Sequence, residues 1–164
     1  MITISMVLAG VGITSYTSYS MREKTNQTAS EVLSSINLAR SLALTNQITD
    51  GFVDGLDYVA VVLKEGIISA FPVNVASGTG PSYFSKKITD DGADISSINF
   101  GSLQFGATTG KLLIKEVAPS FNVYPPEAAS VGVSFTITSK SNNDNQKMIV
   151  VSPVGIIKLI TVEN

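Results

Sequence analysis

The sequence predicts an α+β fold, with one long N-terminal α-helix packed on a mostly antiparallel β-sheet head. Three observations predict it. The stretch from Ile2 to Gln47 holds no proline and, read as one helix, would be roughly 70 Å long. After Gly51 the hydrophobic period changes from helical to strand-like. Glycine, asparagine and proline then recur between short apolar runs, as turns between strands require.

Composition narrows the function before any motif is considered. The 164 residues suit one domain able to bury a core without staples. With 44% hydrophobic and 15% charged residues, the chain is not of a disordered, nucleic-acid-coating type. A net charge of -2 and a pI near 5.0 leave no basic footprint, so no nucleic-acid partner is expected. There is no cysteine, which removes disulfides, thiol nucleophiles and zinc-thiolate sites. There is no histidine either, so acid–base chemistry near neutral pH would need a strongly shifted carboxylate, lysine or tyrosine. Both absences argue against an enzyme.

The helix divides into two halves. Residues 1–24 form the apolar half: Ile2 to Met21 carries no charge, and Arg22, Glu23 and Lys24 close it. Its most apolar part, Ile2 to Ile13, is shorter than the ~20 residues of a membrane span, and Gly10 and Gly12 loosen it. No basic residue precedes the run and no small-x-small site follows, so it is a poor cleavable signal. A buried helix of a soluble fold is the plain reading. The sharper one is the tail end of a membrane-embedded segment, with Tyr16, Tyr19, Arg22 and Lys24 as interfacial anchors. Residues 25–47 form the amphipathic half. There Ala29, Val32, Leu33, Ile36, Ala39 and Ala43 make one stripe for a sheet to cover. Leu38, Leu42 and Leu44 widen the stripe, and Ser30, Glu31, Ser34, Ser35, Asn37, Arg40 and Ser41 lie opposite. Asn46 or the Asp50-Gly51 turn is the predicted stop.

Residues 48–164 are the β-rich head. Tyr58 to Leu63 and Gly66 to Val73 read as strands joined by a hairpin turn at Lys64-Glu65-Gly66. Val75 to Pro81 reads as a loop, Ser82 to Ile88 as a short strand and Thr89 to Asp94 as a polar turn. Ser97 to Phe105 alternates, with Gly101 as a candidate bulge. Gly106 to Gly110 turns the chain into Lys111 to Val117, and Pro119 to Ser130 is a surface loop. The last third predicts three successive antiparallel strands: Val131 to Ile137, Lys147 to Ser152 and Ile156 to Val162. A hydrophilic tip (Ser139 to Gln146) and a tight Pro153-Val154-Gly155 turn connect them.

No catalytic constellation emerges. Asp90, Asp91 and Asp94 around Gly92 are the best calcium candidates, but their spacing does not match an EF-hand loop and a solvated turn accounts for them. Asn142 to Asn145 sits at a hairpin tip. Gly78-Thr79-Gly80 and Gly106 to Gly110 lack the following helix of a phosphate-cradling loop. No serine or threonine has an evident activating base. No cofactor, metal site or catalytic residue is expected.

With these elements placed, the chain resembles the type IV pilin-like proteins, in particular their minor pilin and pseudopilin branch. Three stretches carry the likeness: ITISMVLAGVGITSYTSY passing into MREKTNQTASEVLSSINLARSLALTNQ, then Tyr58-Val59-Ala60-Val61, and then VSFTITS with QKMIVVSPVGIIKLITV. The family's basic leader, cleavage-point glycine and glutamate-bearing start are absent from this sequence. The resemblance therefore implies a chain that begins about ten residues inside the mature protein, its apolar run falling short of a span. It further implies a structural subunit of a type IV pilus, a competence pilus or a type II secretion pseudopilus. Such a subunit waits in the bacterial cytoplasmic membrane with its head outside, and is then lifted by an assembly machine into a cell-surface or periplasmic filament of like subunits. Ile2, Ile4, Val7, Leu8, Val11 and Ile13 would make the membrane and filament contacts, and Gly10 and Gly12 would allow close helix approach. Val32, Leu33, Ile36, Ala39 and Ala43 would clamp the sheet. Two competitors remain: a membrane-anchored adhesin or binding module with a β-sandwich head, and an extracellular hydrolase using a carboxylate pair.

Overall fold

A computed structural model describes residues 2–49, 55–64, 66–88, 100–116, 122–124, 132–138 and 146–162. The first element is a single α-helix, α1 (Ile2–Leu44), 43 residues or about 65 Å long. It ends where the sequence places a stop. Asn46 takes φ 50, Asn46 N donates to the Ala43 carbonyl (3.1 Å), and Gln47 N donates to the Leu42 carbonyl (3.1 Å). That crossed pair is a Schellman cap, and asparagine is one of the few non-glycine residues that tolerates the left-handed position.

Among the described residues ten strands follow, every described pairing antiparallel. They are β1 (Tyr58–Lys64), β2 (Ile67–Asn74), β3 (Gly78–Thr79), β4 (Phe84–Lys87), β5 (Phe100–Gly106), β6 (Leu112–Glu116), β7 (Asn122–Tyr124), β8 (Gly132–Thr138), β9 (Gln146–Val151) and β10 (Ile157–Val162). They divide into two sheets rather than one. The first has the order β3-β2-β1-β5-β6, with β4 also on β2; the second has the order β10-β9-β8-β7. Two short strands fall inside segments read from sequence as loops. β3 pairs with Val73 and Asn74 within the Val75 to Pro81 stretch, and β7 pairs with the start of β8 within Pro119 to Ser130. Strands this short carry too few residues to display a period of two.

Local chemistry explains the irregular points. Gly101 is the extra residue where Val62 faces Ser102 and Leu63 faces Phe100, so it forms the bulge expected of it. Pro72 sits inside β2 yet breaks no pairing. There the outer side of β2 passes from β4 (facing Ile67 to Ala70) to β3 (facing Val73 and Asn74), so no ladder donor is required of it. Its carbonyl still accepts from Gly80 N at 2.9 Å.

One core lies between α1 and the inner faces of both sheets. Val59, Val61 and Leu63 face Pro72, Ala70 and Ile68 across β2, and Val59 and Val61 face Phe105 and Leu103 across β5. Those side chains are buried, as are Val133, Ile137, Ile149 and Val151 of the second sheet. The helix contributes Ala29, Val32, Ile36, Ala39 and Ala43, all with no exposed surface, and Leu33 packs at the margin of the same cluster. The alanines let the helix backbone come close to the sheets, while Val32 and Ile36 each gain about 1.5–3 kcal/mol from burial.

Candidate functional site

The feature with functional content is the division of α1 into a seated part and a projecting part. From Ile13 to Lys24 the described side chains are exposed, apart from half-buried Ser20 and Met21; burial begins at Thr25. Ile13, Tyr16 and Tyr19 are 65%, 73% and 68% exposed, so apolar and aromatic groups stand in solvent on the projecting part. The side chains of Ile2, Ile4, Val7, Leu8, Gly10, Val11 and Gly12 lie outside the described residues. Among the described residues no helix is long and apolar enough to cross a membrane.

The seated face includes polar residues that periodicity alone did not assign to it. Thr25, Thr28 and Ser35 are buried together with the apolar stripe. Thr25 Oγ1 donates to the Met21 carbonyl (3.0 Å) and Ser35 Oγ to the Glu31 carbonyl (2.8 Å), so these hydroxyls enter the core already satisfied. Ser35, placed from sequence on the opposite side, is corrected to the seated face for this reason. Arg40, placed there too, is half-buried and turns back to the head.

Arg40 reaches a joint where three distant segments meet. Its Nε donates to the Gly110 carbonyl at 3.3 Å. Gly110 belongs to the turn between β5 and β6, whose Thr108 N donates to the Ala43 carbonyl at the helix end (2.9 Å). Gly155, with φ 82, ends the turn between β9 and β10. A Cβ placed on it would lie 2.0 Å from the Gly110 carbonyl oxygen and 2.7 Å from Arg40 Nε. Leu112 N donates to the Pro153 carbonyl (3.0 Å), which ties the two sheets directly. The β9–β10 turn is itself regular. Pro153 follows Ser152, Gly155 N donates to the Ser152 carbonyl (2.8 Å), and Ser152 N donates to Ile156 O (2.9 Å). Gly155 is thus the left-handed bulge residue that a three-residue hairpin loop requires.

A shallow groove of ≈ 420 Å³ lies beside the helix end, lined by Leu38, Leu42, Gln47, Ile48, Thr49, Tyr83 and Phe84. The Tyr83 hydroxyl donates to the Gln47 carbonyl, and burial pushes that phenol above its usual pKa of 10.0. Thr49 Oγ1 is buried there without a partner among the described residues. Among the described residues the lining holds no carboxylate, amine or guanidinium. Asp90, Asp91 and Asp94 lie outside the described residues, and among those described no group of side chains could hold a metal ion.

The fold is similar to that of the type IV minor pilin FimU of Pseudomonas aeruginosa strain PAO1, in two crystal forms. One is matched at TM-score 0.56 and 16% identity over 87% of this chain and 92% of that one. The other is matched at TM-score 0.51 and 16% identity over 82% and 91%. No protein-family model and no curated protein matches the chain. At this identity the likeness establishes a pilin-like α+β fold.

Proposed function

We propose that the chain is a structural, non-enzymatic subunit of a type IV pilus-like filament, a minor pilin or pseudopilin. One observation carries the reading: α1 continues as one rod far beyond the head, whose grip begins only at Thr25. A domain that needed the helix only for its core would have no use for the first ~35 Å of it. Before assembly, the apolar half sits in the cytoplasmic membrane beneath an extracytoplasmic head. On assembly it leaves lipid for a bundle of like helices, which keeps its apolar surface out of water. Ile2, Ile4, Val7, Leu8, Val11 and Ile13 supply those contacts, while Gly10 and Gly12 admit close approach. Val32, Leu33, Ile36, Ala39 and Ala43 fix the head to the rod. The contact between successive subunits is head-to-tail, which builds an open helical filament instead of a closed ring. The likeness to FimU supports the reading, and the filament is a type IV pilus, a competence pilus or a type II secretion pseudopilus. An adhesin head standing clear of its anchor would not place five helix residues in its core cluster, so the adhesin reading is disfavoured.

The chain has no cysteine, so single cysteines report cleanly. Ile13→Cys, Tyr16→Cys and, as a head control, Val75→Cys would be expressed from the native locus with the assembly machinery present or deleted. Subunits should fractionate with the membrane, and helix cysteines should cross-link between subunits only when the machinery is present. A soluble monomer with no helix cross-link in either strain overturns the proposal.

A further inference from the structure

We propose that the free edge of β10 receives an extended strand from another polypeptide, an apolar one with two acidic side chains three residues apart, hence one on each face. The inference rests on the second sheet alone and not on the filament reading. Among the described residues β10 is the terminal strand of that sheet, paired with β9 on one side only. The bond from Ser152 N to Ile156 O sets the phase of its ladder, because bonded pairs alternate in an antiparallel pair. Lys158 and Ile160 therefore exchange backbone bonds with Val150 and Met148, and the N–H and C=O groups of Ile157, Leu159 and Thr161 point away from β9. Those outward groups make no backbone bond among the described residues.

Natural edges are commonly guarded by proline, bulges or charge. β10 has six residues in unbroken register, with neither proline nor glycine, and one charge at Lys158. Leu159 and Ile160, on opposite faces, are 38% and 42% exposed. An added strand would cover both.

The charge of the sheet selects the occupant. β8, β9 and β10 read GVSFTIT, QKMIVV and IKLITV, with lysines at 147 and 158 and no acidic residue. Lys147 Nζ donates to Thr161 Oγ1 at 2.8 Å, which sets its cation at the far end of β10 on the core-side face. Lys158 stands on the other face near the turn. Both faces of this edge therefore carry positive charge, in a chain whose net charge is -2. A second copy of β10 would bring a further lysine and no carboxylate, whereas a strand with carboxylates at those two places would neutralise them.

The probe is a six-residue valine peptide with glutamates at its second and fifth positions, matched to the six residues of β10, titrated into the intact chain and followed by residue-resolved amide exchange. The peptide should slow exchange at Ile157, Leu159 and Thr161 and leave Lys158 and Ile160 unchanged, with affinity falling as salt is raised. Leu159→Pro removes an outward donor without touching the β9 ladder and should weaken binding about tenfold. Lys158→Glu should weaken it as well, and provides the test should the proline variant not fold. Three results overturn the proposal: no protection at the outward amides, equal protection by a valine–lysine peptide, or protection that rises with protein concentration in the absence of peptide.

Discussion

Replacing Gly155 by alanine tests the joint between helix and sheets. Two costs add. The residue holds φ 82, and a non-glycine residue in the left-handed region costs about 1–2 kcal/mol. The new Cβ would lie 2.0 Å from the Gly110 carbonyl oxygen, which is backbone and must move. Moving it disrupts the Arg40 bond to that carbonyl, a charge-assisted contact of about 1.5–3 kcal/mol, and strains the Leu112–Pro153 bond of about 0.5–1.5 kcal/mol. The sum is about 3–6 kcal/mol, which for a chain of this size lowers Tm by roughly 12 °C. Gly78→Ala is the internal control. It has φ 95 but nothing within 4 Å of its Cβ position, so it carries the backbone cost alone, about 1–2 kcal/mol. Urea unfolding of both variants measures the difference. Arg40→Ala should then cost less in the Gly155→Ala background than in the parent, because the bond it removes is already broken. If Gly155→Ala falls within about 1 kcal/mol of Gly78→Ala, the joint is not the constraint described.

Thr108 is a β-branched residue at φ 59 on an exposed turn, so Thr108→Gly should raise stability by about 1 kcal/mol in chemical denaturation. Ile36→Ala should cost about 2–5 kcal/mol because the side chain is fully buried, while Leu38→Ala, 49% exposed, should cost less than about 1 kcal/mol. Lys86→Ala removes an exposed 3.6 Å ion pair with Glu31 and should change stability by no more than about 1 kcal/mol. Tyr83 should ionise above 10.0 in an ultraviolet titration. Its raised folded pKa means its contribution is fully present below the unfolded value and is lost as pH rises through the folded one. Alkaline destabilisation should therefore be reduced in Tyr83→Phe.

The sequence revealed the elements better than their partners. α1 was legible because nothing interrupts a long proline-free run and Asn46 marks its end. β8 was legible because Val133, Phe135 and Ile137 alternate with small or polar residues, and β1, β2, β9 and β10 because runs rich in valine and isoleucine are bounded by turn residues. The split into two sheets was not, since strand periodicity records which side of a strand is apolar and not which strand lies beside it. The burial of Thr25, Thr28 and Ser35 was hidden because a hydroxyl bonded to its own helix behaves as a small apolar group, which hydropathy does not register. The contact of Gly155 with Gly110 was also hidden: glycine in a tight turn accounts for itself locally, and the sequence carried no sign that another backbone would lie against it.

That contact has a consequence for the order in which the chain matures. Residues 40, 110 and 155 come from the helix, the first sheet and the last hairpin, and the Arg40–Gly110 bond alone closes a separation of 70 residues. During synthesis the amphipathic stripe emerges first, and the first sheet can cover only part of it. The remainder has no cover until β8, β9 and β10 have been made, so the nascent chain shows a sticky helix face until that last hairpin is added. A stop codon ahead of β8 would therefore yield a chain with the stripe half clad and prone to aggregation, not a shorter working head. The last hairpin acts as a latch on a finished product.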